Sequence, residues 1–400
     1  MIELLAPAGD LERLKVAILY GANAVYIGGK KFSLRARASN FGLKDIKEGC
    51  EFAHSHGAKV YVTMNIVPHD SDFEGLEDYL LALDSFEVDG IIVTSLKIAE
   101  VAKRLTPRIE RHLSTQFSVS NSQTIEFLRK WGFSRFVLAR EVGLEQIRQI
   151  RTKTDADLEV FIHGGMCVSY SGRCMLSNHM TNRDANRGGC AHSCRWNYSL
   201  FLNGKALNID DVFFSMGSRD LCAVSALPEL IKLGVKSLKI EGRMKSIYYI
   251  ATVVRGYRML IDDCLKNHGN FDVSKYKEEI SKAENRATGT GFLFHKPGVN
   301  EQVYNNEELM PTKEFIGMVL DYDPITQTAT VQERNYFEIG DEVEFFGPKS
   351  ENRRMIIREM GDENNIPLAA ARHALQIVKL KVDFSVSPGD MIRKAPGTKR

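Results

Sequence analysis

The stretch DLERLKVAILYGANAVYIGG, residues 10–29, joins an amphipathic helical segment, a glycine and a short apolar strand. This unit recurs through the first 245 residues, and such alternation is typical of a parallel sheet covered by helices. Eight repeated units predict a closed (β/α)8 TIM-like barrel, with an open doubly wound sheet as the alternative. The predicted strands are residues 4–9, 24–29, 59–65, 90–95, 111–116, 135–140, 158–164 and 237–242.

A long insertion, residues 165–236, separates the seventh predicted strand from the eighth. It far exceeds the usual βα loop of about 2 to 6 residues. It contains four cysteines, then a predicted hairpin that turns at Asn203–Gly204, and a helix that leads into strand eight. Because loops at the C-terminal face of such barrels carry the reacting groups, we expect the cysteines to lie at the catalytic end.

The chain divides into three predicted parts. Residues 1–270 form the barrel with its insertion, and residues 271–312 form a helical and irregular linker. From Phe315 onward apolar residues alternate with period two between turn residues, so residues 313–400 are predicted to form a small antiparallel β-barrel domain.

Composition excludes several classes of protein. The 400 residues are 44% hydrophobic and 26% charged, which excludes disordered and fibrous chains. The net charge of +2 provides no general basic field, so binding to nucleic acid would need a local patch. The N-terminal sequence lacks a signal-peptide pattern, and no apolar run reaches the roughly 18 residues of a membrane span. A soluble, cytoplasmic protein without a membrane partner is therefore expected.

Four of the seven cysteines lie within 28 residues, in the pattern C-x6-C-x15-C-x3-C. They are Cys167, Cys174, Cys190 and Cys194. Thiolates bind soft metals, and four of them form the usual ligand set of an iron–sulfur cubane. A zinc site is the first alternative, although only Cys190 and Cys194 approach the paired spacing of structural zinc sites; reduced buried thiols are the second. Cys222, in the same insertion, is an alternative fourth ligand.

Polar residues stand at the C-terminal ends of the predicted strands, where barrel enzymes place their reacting groups. They are Tyr26, Asn65, Gln116, Arg140, Glu141, His163, Lys239, Glu241 and Arg243. His163 and Glu241 are the predicted catalytic residues; His163 could serve as an acid, a base or a partner of the metal centre, or it could be a buried core histidine.

Lys239, Glu241 and Arg243 have period-two spacing, which predicts that they share one side of an extended strand and suit an anionic small molecule. Asn65 and Gln116 join Lys239 and Arg243 as predicted substrate-binding residues.

The segment KKFSLRARASNF, residues 30–41, interleaves basic and aromatic side chains. Lys30, Lys31, Arg35 and Arg37 could hold phosphates while Phe32 or Phe41 stacks on a base; a solvated loop is the alternative. Arg35 and Arg37 are predicted to bind substrate.

The sequence EVFIHGGMCVSYSGRCMLS, residues 159–177, resembles the signature ExFxxG[SA]xCxxxxGxCxxS of the collagenase-like peptidase family. The matching residues are Glu159, Phe161, Gly164, Cys167, Gly172, Cys174 and Ser177. The departure is Gly165, where the family commonly has alanine, and it removes one methyl group. The resemblance extends through APAGDLE, SLRARASNF, STQFSVSN, NRGGCAHSCRW, SRDLC and SLKIEGRMKS.

This resemblance implies two different activities. The family was named for collagen degradation, yet several members resemble iron–sulfur hydroxylation proteins that act on RNA or on quinone precursors. The sequence contains no HExxH, no GxSxG and no Cys–His pair separate from the four cysteines, so the peptidase interpretation lacks a mechanism.

The length and domain plan most resemble the members that make 5-hydroxyuridine at the tRNA wobble position using prephenate. A 4Fe–4S cluster, prephenate as co-substrate and tRNA as partner are then expected, with a paralogous partner protein as an open question. In this interpretation Arg35, Arg37, Lys239 and Arg243 bind carboxylate or phosphate. Ribosomal RNA hydroxylation, peptidase activity and an RNA-binding scaffold with a structural metal are the alternatives.

Overall fold

Parallel strands and helices alternate through the first part of the chain. The computed structural model describes residues 2–34, 40–207, 213–267, 272–283, 286–303 and 314–395. The strands are β1 (Glu3–Pro7), β2 (Ala24–Gly28), β3 (Lys59–Met64), β4 (Gly90–Val93), β5 (Glu110–Leu113), β6 (Arg135–Val137), β7 (Asp157–Gly164), β8 (Phe201–Leu202), β9 (Lys205–Ala206), β10 (Asp220–Cys222) and β11 (Ser237–Ile240).

Eight parallel strands of the described chain, β1 to β7 and β11, close into a barrel. Each of β1 to β6 pairs with the next strand along the chain, and β11 pairs with both β7 and β1. The strands are buried along nearly their whole length because helices cover them outside and side chains fill the inside. The predicted TIM-like barrel is confirmed, and this closure excludes the open sheet.

The helices cover the outside of the barrel. They are α1 (Leu11–Leu19), α2 (Leu43–Ser55), α3 (Leu76–Ser85), α4 (Leu96–Leu105), α5 (Ser122–Arg129), α6 (Leu144–Arg151), α7 (Leu176–Thr181), α8 (Leu227–Lys232), α9 (Ile247–Asn267) and α10 (Ser274–Ser281). Side-chain caps fix several starts: Asp10 and Asn121 accept hydrogen bonds from the backbone N–H groups of Arg13 and Thr124. Within the described ranges, no helix has both the length and the apolar character that crossing a bilayer requires.

A layer of charged side chains fills the N-terminal half of the barrel interior. Arg135 donates a hydrogen bond to Glu3 at 2.6 Å, and Lys239 donates one to Glu159 at 2.7 Å. Glu159 and Arg135 are buried, so each charge depends on its partner. This end of the barrel is closed, and any ligand must enter from the opposite end.

The insertion adds structure above β7. Strand β10 runs antiparallel to β7, with Cys222 opposite His163, and pairs on its other side with the short strand β12 (Thr288–Gly289). The hairpin β8–β9 turns at Asn203–Gly204, as predicted. Strand β10 thereby anchors the end of the insertion to the barrel.

The C-terminal part is an antiparallel domain with its own apolar core. Its strands are β13 (Phe315–Asp323), β14 (Thr328–Glu333), β15 (Phe337–Glu338), β16 (Glu342–Phe346), β17 (Arg353–Ile356), β18 (Met360–Gly361), β19 (Ala370–Ala371), β20 (Ile377–Lys381) and β21 (Met391–Lys394). Within residues 314–395, seven of them form one sheet in the order β17–β16–β21–β13–β14–β20–β18, curled into a half-barrel. The predicted antiparallel β domain is confirmed.

An ionic and aromatic contact joins this domain to the barrel. Arg393, which is fully buried, donates hydrogen bonds to Glu279 after α9 and to Glu344 on β16. Tyr248 of α9 stacks on Phe315 with ring centroids 5.3 Å apart. The barrel and the C-terminal domain therefore share a buried interface.

Candidate functional site

A cavity of about 300 Å³ opens at the C-terminal end of the barrel, between the strand ends and the insertion. All four clustered cysteines line it, although they come from three separate segments of the insertion. Other residues of its wall are Gln116, Arg140, Tyr170, Arg195, Glu241, Met244 and Lys245. The structure therefore brings the cysteine pattern and several strand-end residues to one place.

The loop from Cys167 to Cys174 is fixed against the end of β5. Gly172 has a φ of +73°, and a Cβ there would lie 2.0 Å from the carbonyl oxygen of Gln116. Ser171 adds a backbone hydrogen bond of 3.0 Å to the carboxylate of Glu141. Glycine is thus required for this close approach, which places Cys167 and Cys174 on the cavity wall.

Ser177 connects the helix after Cys174 to the segment that carries Cys190. It lies buried in α7, and its hydroxyl accepts a hydrogen bond of 2.9 Å from the N–H of Ala191. Asn186 donates to the carbonyl of Cys174 at 3.1 Å. These bonds hold Cys190 beside the helix that follows Cys174.

The fourth cysteine lies in a single 3-10 turn, Ser193–Arg195. Tyr198 donates to the carbonyl of Ser193 at 2.7 Å, and Arg195 forms an ion pair of 3.2 Å with Asp220 at the start of β10. Burial raises the pKa of Asp220, and Arg195 opposes that shift. The turn is therefore tied to the barrel through β10.

The four thiols influence one another electrostatically. Burial raises the pKa of Cys167, Cys174 and Cys190 raise it further, and Arg140 lowers it. The pKa of Cys194 is raised by burial and by all three other thiols. Across the described ranges, no group of three or more His, Cys, Asp and Glu side chains is arranged to hold a metal ion. The four thiols share the wall of one cavity.

Cys222 and His163 lie behind the cavity wall. Cys222 is buried on β10, outside the cavity lining. His163 is 2% exposed, and its Nδ1 lies 3.3 Å from the hydroxyl of Tyr257, which donates its own hydrogen to the carbonyl of Ile162. Burial lowers the pKa of His163 to about 3, so the ring is neutral at physiological pH. The predicted catalytic role of His163 finds no support in this geometry.

The prediction that Lys239, Glu241 and Arg243 share one side of strand eight holds only for an extended strand, and the strand ends before Glu241. Strand β11 ends at Ile240, its register with β7 shifts between Lys239 and Ile240, and Gly242 has a φ of +145°. Lys239 therefore points into the barrel interior toward Glu159, whereas Glu241 lines the cavity. The extended geometry assumed for the whole segment stops one residue before Glu241.

Arg243 and Asn65 support the loop after β2. Arg243 is buried and donates hydrogen bonds to the hydroxyl of Ser33 at 3.1 Å and to the carbonyl of Leu34. The side-chain oxygen of Asn65 accepts a hydrogen bond of 3.1 Å from the N–H of Leu34. Neither side chain lines the cavity, so their predicted contact with substrate is not supported.

The remaining residues of the loop after β2 agree only in part with the predicted phosphate and base contacts. Arg35 and Arg37 lie outside the described residues. Phe32 and Phe41 are buried, which removes them as stacking partners for a base, while Lys30 and Lys31 are exposed. Tyr26 is also buried, with its hydroxyl donated to the carbonyl of Ile240.

Two residues gain importance from the structure. Arg140 follows β6 and lines the cavity, and its guanidinium stacks on Phe161 with 3.9 Å from its central carbon to the ring centroid. Tyr170 lines the mouth and is 69% exposed. Strand-end position pointed to Arg140, whereas no periodic pattern marks Tyr170 inside its loop.

Comparison with known proteins places the chain in a family. Residues 9–303 match the profile of peptidase family U32, and residues 311–393 match the profile of the peptidase family U32 C-terminal domain. The chain is 50% identical over 398 residues to tRNA hydroxylation protein P1 of Bacillus subtilis, an alignment that covers 98% of this chain and 94% of the relative.

Two further relatives carry different names. A 23S rRNA 5-hydroxycytidine synthase of Escherichia coli is 43% identical over 68% of this chain and 41% of its own length. A collagenase of Porphyromonas gingivalis is 30% identical over 98% of this chain and 97% of its own length. Because both family profiles match and together span most of the chain, this protein belongs to peptidase family U32.

Proposed function

We propose that this protein hydroxylates RNA, that its substrate is the wobble uridine of tRNA, and that it uses prephenate and a 4Fe–4S cluster to make 5-hydroxyuridine. One observation carries the proposal: four cysteines from three segments line a single cavity at the open end of the barrel. The similarity to tRNA hydroxylation protein P1 extends over nearly the whole chain and supports RNA as the substrate class for that cavity.

The donor set supports a cluster over a single ion. Structural zinc sites usually bring their cysteines in closely spaced pairs, and only Cys190 and Cys194 approach that spacing here. The residues that would hold a cubane are Cys167, Cys174, Cys190 and Cys194, which line one cavity. When bound, such a cluster would supply electron-transfer or Lewis-acid chemistry at the barrel mouth.

The protein's own groups in the cavity would bind and orient the substrates. Glu241 lies on the wall with one carboxylate oxygen 3.2 Å from the N–H of Gly165, which fixes its direction. In this proposal Glu241 accepts or returns a proton near the target base, and Gln116 offers an amide that can hydrogen-bond a base edge. The closed lower half of the barrel keeps water from entering behind them.

The insertion that carries the cysteines exposes side chains that suit RNA. Aromatic side chains can stack on bases, and basic ones can contact phosphates. The exposed residues of both kinds include Tyr170, Arg173, Trp196, Phe201, Lys205 and Arg219. In this proposal the basic residues of the insertion supply the local charge that RNA binding needs at a net charge of only +2.

A strain that lacks this protein tests the proposal. Nucleosides from purified tRNA and from 23S rRNA would be measured by mass spectrometry in the deletion strain and after complementation with wild type or Cys167→Ala. We expect 5-hydroxyuridine derivatives to disappear from tRNA and to return only with wild type.

Two results would contradict it. Loss of a hydroxylated nucleoside from 23S rRNA with unchanged tRNA would favour the ribosomal alternative, in line with the E. coli relative. Unchanged nucleosides in both RNAs would remove the hydroxylase proposal and favour the peptidase alternative, in line with the collagenase relative.

A further inference from the structure

The Arg140 side chain has a fixed position, and no described carboxylate forms an ion pair with it. Its guanidinium stacks on Phe161, which fixes the side chain at the end of β6, and it lines the cavity together with Cys167. Within the described residues, the Arg140 side chain makes no ion pair and no hydrogen bond. A buried or half-buried guanidinium normally satisfies several of its N–H groups, so this one is suited to receive an anion.

The other Lys and Arg side chains of the cavity wall are Arg195, Lys245 and Arg286, and the first two have partners. Arg195 forms its ion pair with Asp220, and Lys245 lies with its nitrogen 4.9 Å from the centroid of the Tyr249 ring. Lys239 and Arg243, the cations that the sequence favoured, are buried with Glu159 and with the loop after β2. Arg140 differs from these in facing the cavity without a carboxylate.

We propose that Arg140 binds a carboxylate of a small organic acid inside this cavity. The planar guanidinium fork matches the two oxygens of a carboxylate, and its stack on Phe161 leaves the edge N–H groups free to donate. The cavity of about 300 Å³ lies at the lower end of the range for small-molecule sites and is too small for a polynucleotide segment.

This inference deepens the proposed function, on which it rests for the identity of the acid as co-substrate. It assigns the small acid to the Arg140 side of the cavity, while the RNA stays at the mouth around Tyr170 and only its target base reaches Glu241 and Gln116. An RNA phosphate is the other possible source of an anion, and the experiment separates the two.

The test uses the full chain, purified without oxygen, as wild type, Arg140→Gln, Arg140→Lys and the control Arg148→Gln. Arg148 lies exposed on α6 in surface ion pairs with Glu145 and Glu229. Calorimetric titration would measure the Kd for prephenate, for malonate and for an anticodon stem–loop RNA. Thermal unfolding would verify that each variant is folded.

We expect Arg140→Gln to weaken binding of the acid at least about tenfold, because a charge-assisted, two-point contact is lost. Arg140→Lys should be intermediate, since it keeps the charge but not the fork, and RNA affinity and the control should change less than twofold. If wild type binds malonate but not prephenate, and Arg140→Gln loses malonate, the carboxylate site stands and the proposed co-substrate fails.

Other results would overturn the inference. Equal affinity of wild type and Arg140→Gln for both acids, or no binding of either acid by wild type, would exclude a carboxylate site at Arg140. Retained affinity for the acids with weakened RNA binding would assign Arg140 to a phosphate instead.

Discussion

Tyr170 is 69% exposed on the cavity wall, and its backbone lies in the loop that Gly172 and Glu141 fix. A ring held in this way can stack on a nucleobase at little cost in conformational entropy. Such stacking contributes about 1–3 kcal/mol per base. We therefore expect Tyr170→Ala to weaken RNA binding by roughly fivefold to a hundredfold, and Tyr170→Phe to change it little, as measured by fluorescence titration with an anticodon stem–loop.

Trp131 provides the control for this prediction. It is also exposed, at 40%, but follows α5, at the opposite end of the barrel. Trp131→Ala should leave RNA affinity unchanged. Equal affinities for wild type and Tyr170→Ala would show that the base does not stack on this residue.

The burial of His163 predicts how the stability of the protein depends on pH. Its pKa falls from 6.5 to about 3 because burial disfavours the charged ring, so the unfolded chain binds a proton before the folded one does. The stability that depends on the neutral ring is complete above pH 6.5 and is lost progressively as the pH falls toward 3. We expect His163→Gln to lose less stability than wild type between pH 7.5 and pH 5.5 in urea unfolding; an identical loss would contradict the buried neutral state.

The cysteine-bearing loop depends on one close backbone contact. In Gly172→Ala the new methyl group would meet the carbonyl oxygen of Gln116 at 2.0 Å, so the loop would have to leave the wall. Cys167 and Cys174 would move with it, and we expect the iron content per chain to fall severely. Metal analysis of anaerobically purified protein checks this.

Gly57→Ala is a matched control. Gly57 has a similar φ of +70° but nothing within 4 Å of its added Cβ. Gly57→Ala should lose about 1 kcal/mol of stability, because alanine disfavours a positive φ, and it should keep its metal. Equal metal content in both alanine variants would show that the contact with Gln116 does not position the loop.

Elements with a regular period were predictable from the sequence. The barrel strands, α9 and the Asn203–Gly204 hairpin follow from repeated apolar patterns and turn residues. The bend at Gly242 was not predictable, because it breaks the period that the prediction assumed. The ion pair between Lys239 and Glu159 also depends on the pairing of β11 with β7, which joins strands far apart in the sequence.

The candidate site was only partly predictable from the sequence. Shared thiol chemistry was enough to suggest that Cys167 and Cys194 belong together, and the structure brings both to one cavity. The choice between Cys194 and Cys222 required the placement of β10, which buries Cys222 behind the wall. Tyr170 could not be found from sequence because its exposure depends on how the loop packs.

At the scale of the whole molecule, the buried charges around Arg393 hold the C-terminal domain on the barrel. Burial alone would raise the pKa of Glu344, but Arg393 and Lys282 lower it to about 2. Its contribution to stability is therefore complete above about pH 4.5 and is lost as the pH falls through 2. The docking should persist over the whole physiological range.

Removing the buried cation should be costly. We expect Arg393→Met to destabilise the protein by about 3–5 kcal/mol, because Glu279 and Glu344 would remain buried without their main partner. Arg354→Met removes an exposed partner of the same Glu344 and should cost no more than about 1 kcal/mol. Equal unfolding midpoints in urea for the two variants would contradict this account of domain docking.

The account as a whole rests on one centre formed by four cysteines. The most direct test is to purify the protein without oxygen and to measure iron and acid-labile sulfide per chain for wild type, Cys167→Ala, Cys194→Ala and Cys222→Ala. The account predicts about four of each in wild type, loss in the first two variants, and retention in Cys222→Ala. Zinc or no metal in wild type, or loss in Cys222→Ala with retention in Cys194→Ala, would contradict it.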